Sequence, residues 1–232
     1  AQPDARDPWW VPAPLRGPDM HLPIRVAMTR GPSDLNCDPA VASALDMAAG
    51  YLSDTGYAVE QVDPPCLEEA ADLWRKLIGA DTEELMMPDV RKLGSPLINE
   101  LAGAFADYGS PTDVAGYAHL SAERTRVWRE WSIFMARYPL VLGPVSQRPP
   151  FPQGADEQGL DAYKPLMLDQ AMLYIVNLLG LPSAAVPTGI NQRVPMGVQI
   201  IGQRFREDMC LDAAQAIENV VGVMAHRLWD QN

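Results

Sequence analysis

The chain is short of the residues on which several kinds of site depend. Histidine occurs three times, at positions 21, 119 and 226, and none has a second histidine three or four residues away. That excludes the HExxH kind of zinc site. Cysteine also occurs three times, at 37, 66 and 210, widely spaced and without a CxxC. A disulfide framework and a cysteine–histidine zinc cluster are therefore excluded, and free thiols in a reducing, cytoplasmic setting are expected. No stretch reaches the roughly 18 apolar residues that span a membrane. The longest candidate, 171–186, is interrupted by Asn177, Gly180 and Pro182. The opening AQPDARDPWW lacks the basic start and apolar run of a signal peptide. Its missing Met suits a trimmed chain or simple start-Met removal. Positive charge is scarce: 18 Lys and Arg against 30 Asp and Glu leave a formal net charge of -12. Nucleic acid and anionic membrane are disfavoured as partners. The acidic residues are scattered, which is the pattern of a solvated surface rather than an acidic tail.

What is present is an ordinary folding composition, 47% apolar over 232 residues. That is enough for one good-sized core or two modest ones. Residues 1–23, rich in Pro, Asp and Trp, read as an extended arm with Trp9 and Trp10 as anchors. A strand is expected at 24–29, then a helix over 39–54 opened by Asp38-Pro39 and closed near Gly56, then a strand at 57–62. This order predicts a right-handed βαβ unit. The loop after its first strand has Gly31 alone, so no phosphate cradle is formed. A helix is expected over 67–87, loop and short helix over 88–112, and a long helix capped by Asp113 through 136. A strand follows at 138–142 and a loop over 146–164, long enough to be functional or to bridge elements. The last third predicts a helix over 165–179, short strands at 184–186 and 197–201, and a helix capped by Asp208 through 221. The units are thus the arm 1–23, an α/β part 24–145, the loop 146–164 and a second α/β part 165–232 of the same domain.

Residues 169–218 read DQAMLYIVNLLGLPSAAVPTGINQRVPMGVQIIGQRFREDMCLDAAQAIE. In order and spacing, Asn177, Gly180, Pro182, Pro187, Gly189, Pro195, Gly197, Gln199, Gly202, Phe205, Asp208, Leu211, Ala214 and Glu218 resemble the C-terminal block of the amidase-signature hydrolases. Residues 128–144 are similar to the helix and strand just upstream in that family, with two departures. Arg137-Tyr138 stands where an aspartate is usual, and Val145 where many members have threonine. The resemblance implies an α/β fold with a mixed β-sheet flanked by helices. It also implies cleavage of a carboxylic amide by a serine nucleophile, with a second serine and a lysine base.

Those catalytic residues have no counterpart here. The family's Gly-Ser-Ser-Gly-Gly-Ser segment is missing, and serines occur singly at 33, 43, 53, 95, 110, 121, 132, 146 and 183. Lys76, Lys92 and Lys164 lack the family context, and His119 near Glu123 reads as a solvated pair. Ser146 ends a strand, where catalytic residues often sit, but no base adjoins it in sequence. The resemblance therefore implies a C-terminal half whose catalytic residues lie upstream. Its expected substrate-pocket wall is the loop 146–164 with Tyr163, Met167, Tyr174, Ile175 and Gln199, although Gln199 reads more simply as a satisfied core amide. No catalytic residue, cofactor or metal is expected in the chain itself. The expected partners are the missing N-terminal half and a small-molecule amide, with a homodimer also open. Two other readings stand beside this one. One is a catalytically inactive stand-alone α/β structural or binding domain. The other is an enzyme of a different class using Asp34, Asp38, Glu60 and Asp63, although acids at caps and turns have a simpler role.

Overall fold

The computed structural model describes residues 3–109 and 112–229. Ser110, Pro111 and both extreme ends of the chain, including the tips of the arm and of the C-terminal part, lie outside them. Five strands form one mixed sheet in the order β2-β1-β3-β5-β4. They are β1 (Arg25–Met28), β2 (Ala58–Gln61), β3 (Leu140–Pro144), β4 (Ser183–Asn191) and β5 (Val194–Gly202). β1 runs parallel to β2 and β3, while β5 is antiparallel to β3 and β4. The β3–β5 pairing joins the two expected α/β parts into one sheet.

Strand alternation decides the layers. Val26, Met28, Leu140, Leu142, Val198 and Ile200 face one side. They pack on α1 (Pro39–Asp54) and α8 (Glu207–Val221) through Leu45, Leu52, Met209 and Ile217. Ala27, Val141 and Ile201 face the other side. There they meet α2 (Leu67–Asp81), α5 (Val114–Arg137) and α7 (Ala171–Leu179), with Trp131, Met172 and Ile175 at the centre. The result is a helix–sheet–helix sandwich.

Several expected boundaries follow from local chemistry. Asp38 caps α1, accepting the Ala40 N–H at 2.8 Å, with Pro39 in the first turn. Asp113 caps α5 through the Gly116 N–H at 2.7 Å. α7 stops at Gly180 in the left-handed region, φ 60°.

Elsewhere the structure corrects the sequence reading. Pro88 does not end a helix. A π-turn over Thr82–Met86 leads from α2 into α3 (Met87–Leu93), and Pro88 lies in the first turn of α3, where its missing N–H costs nothing. The Pro- and Gly-rich stretch after it contains a 13-residue helix, α4 (Pro96–Tyr108), with Ser95 as cap. Its proline marks a helix start rather than a loop. α6 (Leu160–Leu168) starts before the expected boundary and keeps Pro165 inside it. The two short strands are a long hairpin of nine residues each, turned by Gln192 and Arg193 at positive φ. Pro187 is tolerated there because β4 is the edge strand, and a bulge follows it at Gly189. Asp208 is not the cap of α8 but lies in its first turn. Its carboxylate accepts the Gly17 N–H at 2.9 Å and pairs with Arg206. The arm is thus tied down at residues 16–18, with Arg16 also reaching Asp212 at 3.2 Å. Trp9 is 88% exposed and is not an anchor. A short C-terminal helix, α9 (Met224–Trp229), buries Met224 against the α1–α8 face.

Candidate functional site

The carboxyl ends of β1 and β3 and the amino end of β5 share one end of the sheet. In open α/β sheets that end is where ligands bind. Here the loop after β1 meets the loop after β3. Thr29 is fully buried, donates to Asp63 at 2.5 Å and accepts the Gly31 N–H at 3.0 Å. Gln147 is also fully buried. Its carbonyl accepts from Asp38 N at 2.9 Å and its N–H donates to Asp169 O at 2.8 Å, so one residue ties three segments together.

Two cavities open on this crest. The first, about 400 Å³, lies between the loop after β1, α2 and the α6–α7 corner. Its apolar wall is Pro32, Leu35, Met167, Leu168, Ala171 and Tyr174. Tyr174 stacks on Trp74 with ring centroids 4.0 Å apart and planes 1° apart, and its hydroxyl meets the Met167 sulfur at 3.5 Å. Most of its acidic rim is already engaged. Glu68 accepts both the N–H and the hydroxyl of Ser33, each at 2.7 Å, and Asp72 pairs with Arg75 and Lys76. The second cavity, about 380 Å³, lies between the loop after β3 and the start of β5. Val145, Ser146, Phe151, Gln170, Pro195 and Met196 line it, and the Gln170 amide donates to the Ser146 hydroxyl at 3.1 Å. Beside it Asp169 pairs with Arg148 at 3.3 Å. Burial pushes the Asp169 carboxyl above its ordinary range, against the opposing pull of Arg148.

The five expected wall residues do not share one surface. Met167 and Tyr174 line the first cavity. Ile175 is fully buried in the core on the α7 side. Gln199 is 2% exposed in β5, and its amide donates to Pro144 O at 3.5 Å, a core role. Tyr163 is half-buried on α6 and lines neither cavity, its hydroxyl pushed up mainly by burial and further by Asp156. The loop 146–164 contributes its first residues, through Phe151, to the second cavity. Gln170 was not read from the sequence. Its signal was a polar residue opening a strongly apolar helix.

Two serines face the crest: Ser33 meets only the weakened carboxylate of Glu68, and Ser146 meets no base among the described residues. The hydrogen bonds from Ser33 hold the Glu68 carboxyl below its ordinary range, which weakens it as a proton acceptor. Ser146 receives a bond from an amide, which cannot take its proton. The carboxylates considered for another chemistry are dispersed. Asp38 is a helix cap and Asp63 holds Thr29, while Glu60 takes Arg25 at 2.7 Å and the Tyr138 hydroxyl at 2.7 Å. Asp34 alone of the four lines a cavity. Tyr138, at the position that departs from the family pattern, is the buried centre of that Arg25–Glu60 pair.

The family described as Amidase matches residues 12–211. An indoleacetamide hydrolase from Bradyrhizobium japonicum is 38% identical over 231 residues, 99% of this chain and 50% of that protein. Fatty acid amide hydrolase superposes with a TM-score of 0.72 at 19% identity, covering 92% of this chain and 42% of the other. 6-Aminohexanoate cyclic dimer hydrolase, solved with substrate, superposes with a TM-score of 0.70 at 20% identity, covering 89% and 47%. The two structures share the fold, and the chain spans about half the length of the curated relatives it matches. With the family match covering most of its length, this chain belongs to the amidase family.

Proposed function

We propose that this chain is the C-terminal segment of an amidase that hydrolyses a carboxylic amide to the acid and an amine or ammonia. A serine nucleophile comes from a segment preceding residue 1. The observation that carries this reading is the half-length match: nearly the whole chain aligns with 50% of an indoleacetamide hydrolase. The crest supplies one wall of the acyl pocket. Met167 and Tyr174 offer an apolar and aromatic surface, while Ser146 and Gln170 offer hydroxyl and amide groups for orientation. An aromatic acyl group such as an arylacetyl fits these walls. The upstream half packs along β4, the open edge of the sheet.

The test is a chimera. The chain is fused behind the N-terminal half of the Bradyrhizobium relative and assayed for ammonia release from indole-3-acetamide. The fusion should turn over, and the chain alone should release no ammonia above background. Turnover by the chain alone at the rate of the fusion would overturn the assignment.

A further inference from the structure

The opposite end of the sheet carries a second kind of site. α5, the end of α7 and the turn after β5 enclose a cleft of about 410 Å³. Ser121, Arg124, Thr125, Trp128, Gly180 and Arg204 line it, with Leu179 beneath. No carboxylate is among the lining residues, although the protein carries a net charge of -12. Arg124 spends its Nε on the Leu178 carbonyl at 2.6 Å, at the carbonyl end of α7. Arg204 lies 5.7 Å from the Trp128 ring and 4.8 Å from the Phe205 ring. Neither arginine forms an ion pair among the described residues. Arg126, two residues along, shows the contrast by pairing with both Glu69 and Glu123. Asp81 shares the neighbouring cleft with Arg124 but is held by the Tyr117 hydroxyl at 3.0 Å.

A guanidinium held against aromatic faces keeps its N–H edge free for a carboxylate, which it can fork. Arg204 is held in this way, and Arg124, fixed at its Nε by the Leu178 carbonyl, presents its terminal N–H groups beside it. With an indole face and an apolar floor they are complementary to a flat apolar body bearing one carboxylate. We propose that this cleft binds a small aromatic carboxylate, its oxygens between Arg124 and Arg204 and its ring against Trp128. The site is separate from the crest and does not depend on the hydrolase reading.

Calorimetry on the 232-residue chain at constant ionic strength tests it, with phenylacetate as the probe. Phenylacetamide supplies the uncharged control, acetate the control without a ring, and inorganic phosphate the oxyanion without an apolar body. Phenylacetate should saturate, and each control should bind at least about tenfold more weakly. Arg124→Gln and Arg204→Gln should each weaken phenylacetate by about tenfold or more, with circular dichroism unchanged. Arg129→Gln, on α5 but outside the cleft, should bind as the parent does. Unchanged binding in Arg124→Gln and Arg204→Gln, equal binding of phenylacetamide, or phosphate binding tighter than phenylacetate would each overturn the proposal. So would the lack of saturable phenylacetate binding. Both arginines are exposed, and Arg204 makes no hydrogen bond or ion pair among the described residues, so Arg204→Gln keeps the test independent of the Arg124–Leu178 bond. Arg204→Lys adds a second check: it keeps the charge but loses the fork, and should fall between parent and Arg204→Gln.

Discussion

Gly31→Ala should destabilise the chain by about 2–5 kcal/mol, partly through the backbone and partly through one neighbour, Gln147. Gly31 sits at φ +87°, in the region that side chains disfavour. Confining alanine there costs about 1–2 kcal/mol. The added Cβ would also stand 1.9 Å from Gln147 Nε2. Gln147 is fully buried and pinned at both backbone ends, so its side chain has no open space to retreat into. Overpacking of that kind costs about 1–3 kcal/mol. Neither amide atom of Gln147 has a hydrogen-bond partner among the described residues. Truncation to alanine therefore loses packing but also removes a buried, unpaired amide worth about 1–3 kcal/mol in the opposite sense. Gln147→Ala alone should be close to neutral, and it should rescue Gly31→Ala in the double variant. Urea unfolding followed by circular dichroism gives the four stabilities of the cycle. A coupling of about 1–3 kcal/mol is expected. A coupling below about 0.5 kcal/mol would show that the backbone conformation alone disfavours a side chain at position 31, refuting the contact argument.

Three further outcomes follow from other parts of the structure. Hydrogen bonds from Arg206 hold the Asp208 carboxyl down at about 2, so its stabilisation is complete above the ordinary carboxylate range and lost as pH falls through the folded value. Asp208→Asn should lower the urea midpoint near neutral pH, and the gap to the parent should close between about pH 4 and pH 2. Burial pushes the Cys210 thiol up to about 12, so a thiol reagent at about pH 8 should leave Cys210 unmodified in the native chain and reach it only in denaturant, as peptide mapping would show. Ile200→Ala, in a fully buried position between β3, β4 and α1, should cost about 2–5 kcal/mol in the same urea assay.

What the sequence disclosed depended on whether the cause was local. Asp38-Pro39, Asp113 and Gly180 determine their helix ends through atoms within a few residues, and the helices they bound were legible. Ser95-Pro96 carries the same signal, but it stands among other prolines and glycines that read as loop, so only a short helix was expected within 88–112 and the bounds of α4 were not placed. The hairpin was read too short because Pro187 looked like a terminator. Only the sheet order shows that its missing N–H points off the edge. The site divides in the same way. Met167 and Tyr174 were expected at the pocket as apolar side chains near the family's cleft, and both line a cavity. Ile175 follows Tyr174 by one residue, and one residue on a helix is enough to turn a side chain from a cavity into the core. Gln147 could not be read at all, since its role comes from contacts with Asp38, Asp169 and Gly31 that are distant in sequence.

The two edges of the sheet are finished differently, and this bears on where the proposed upstream half attaches. β2 ends the sheet with exposed Glu60 and Gln61 on a strand of four residues. Glu60 is held across to β1 by Arg25 and Tyr138. A short, charged edge of this kind discourages further pairing. β4 is nine residues long and carries no charged side chain. Ser183 and Ala185 are exposed on the face where their β5 partners Ile201 and Gln199 are buried, and Pro187 is exposed beside half-buried Gly197. α7 therefore covers β5 but leaves β4 open. The only device on β4 that opposes pairing is the proline followed by its bulge, and the residues before it remain free to extend the ladder. An edge this long, small-sided and uncharged is costly to leave in water, whereas the β2 edge is not. The asymmetry favours β4 as the seam to the upstream segment.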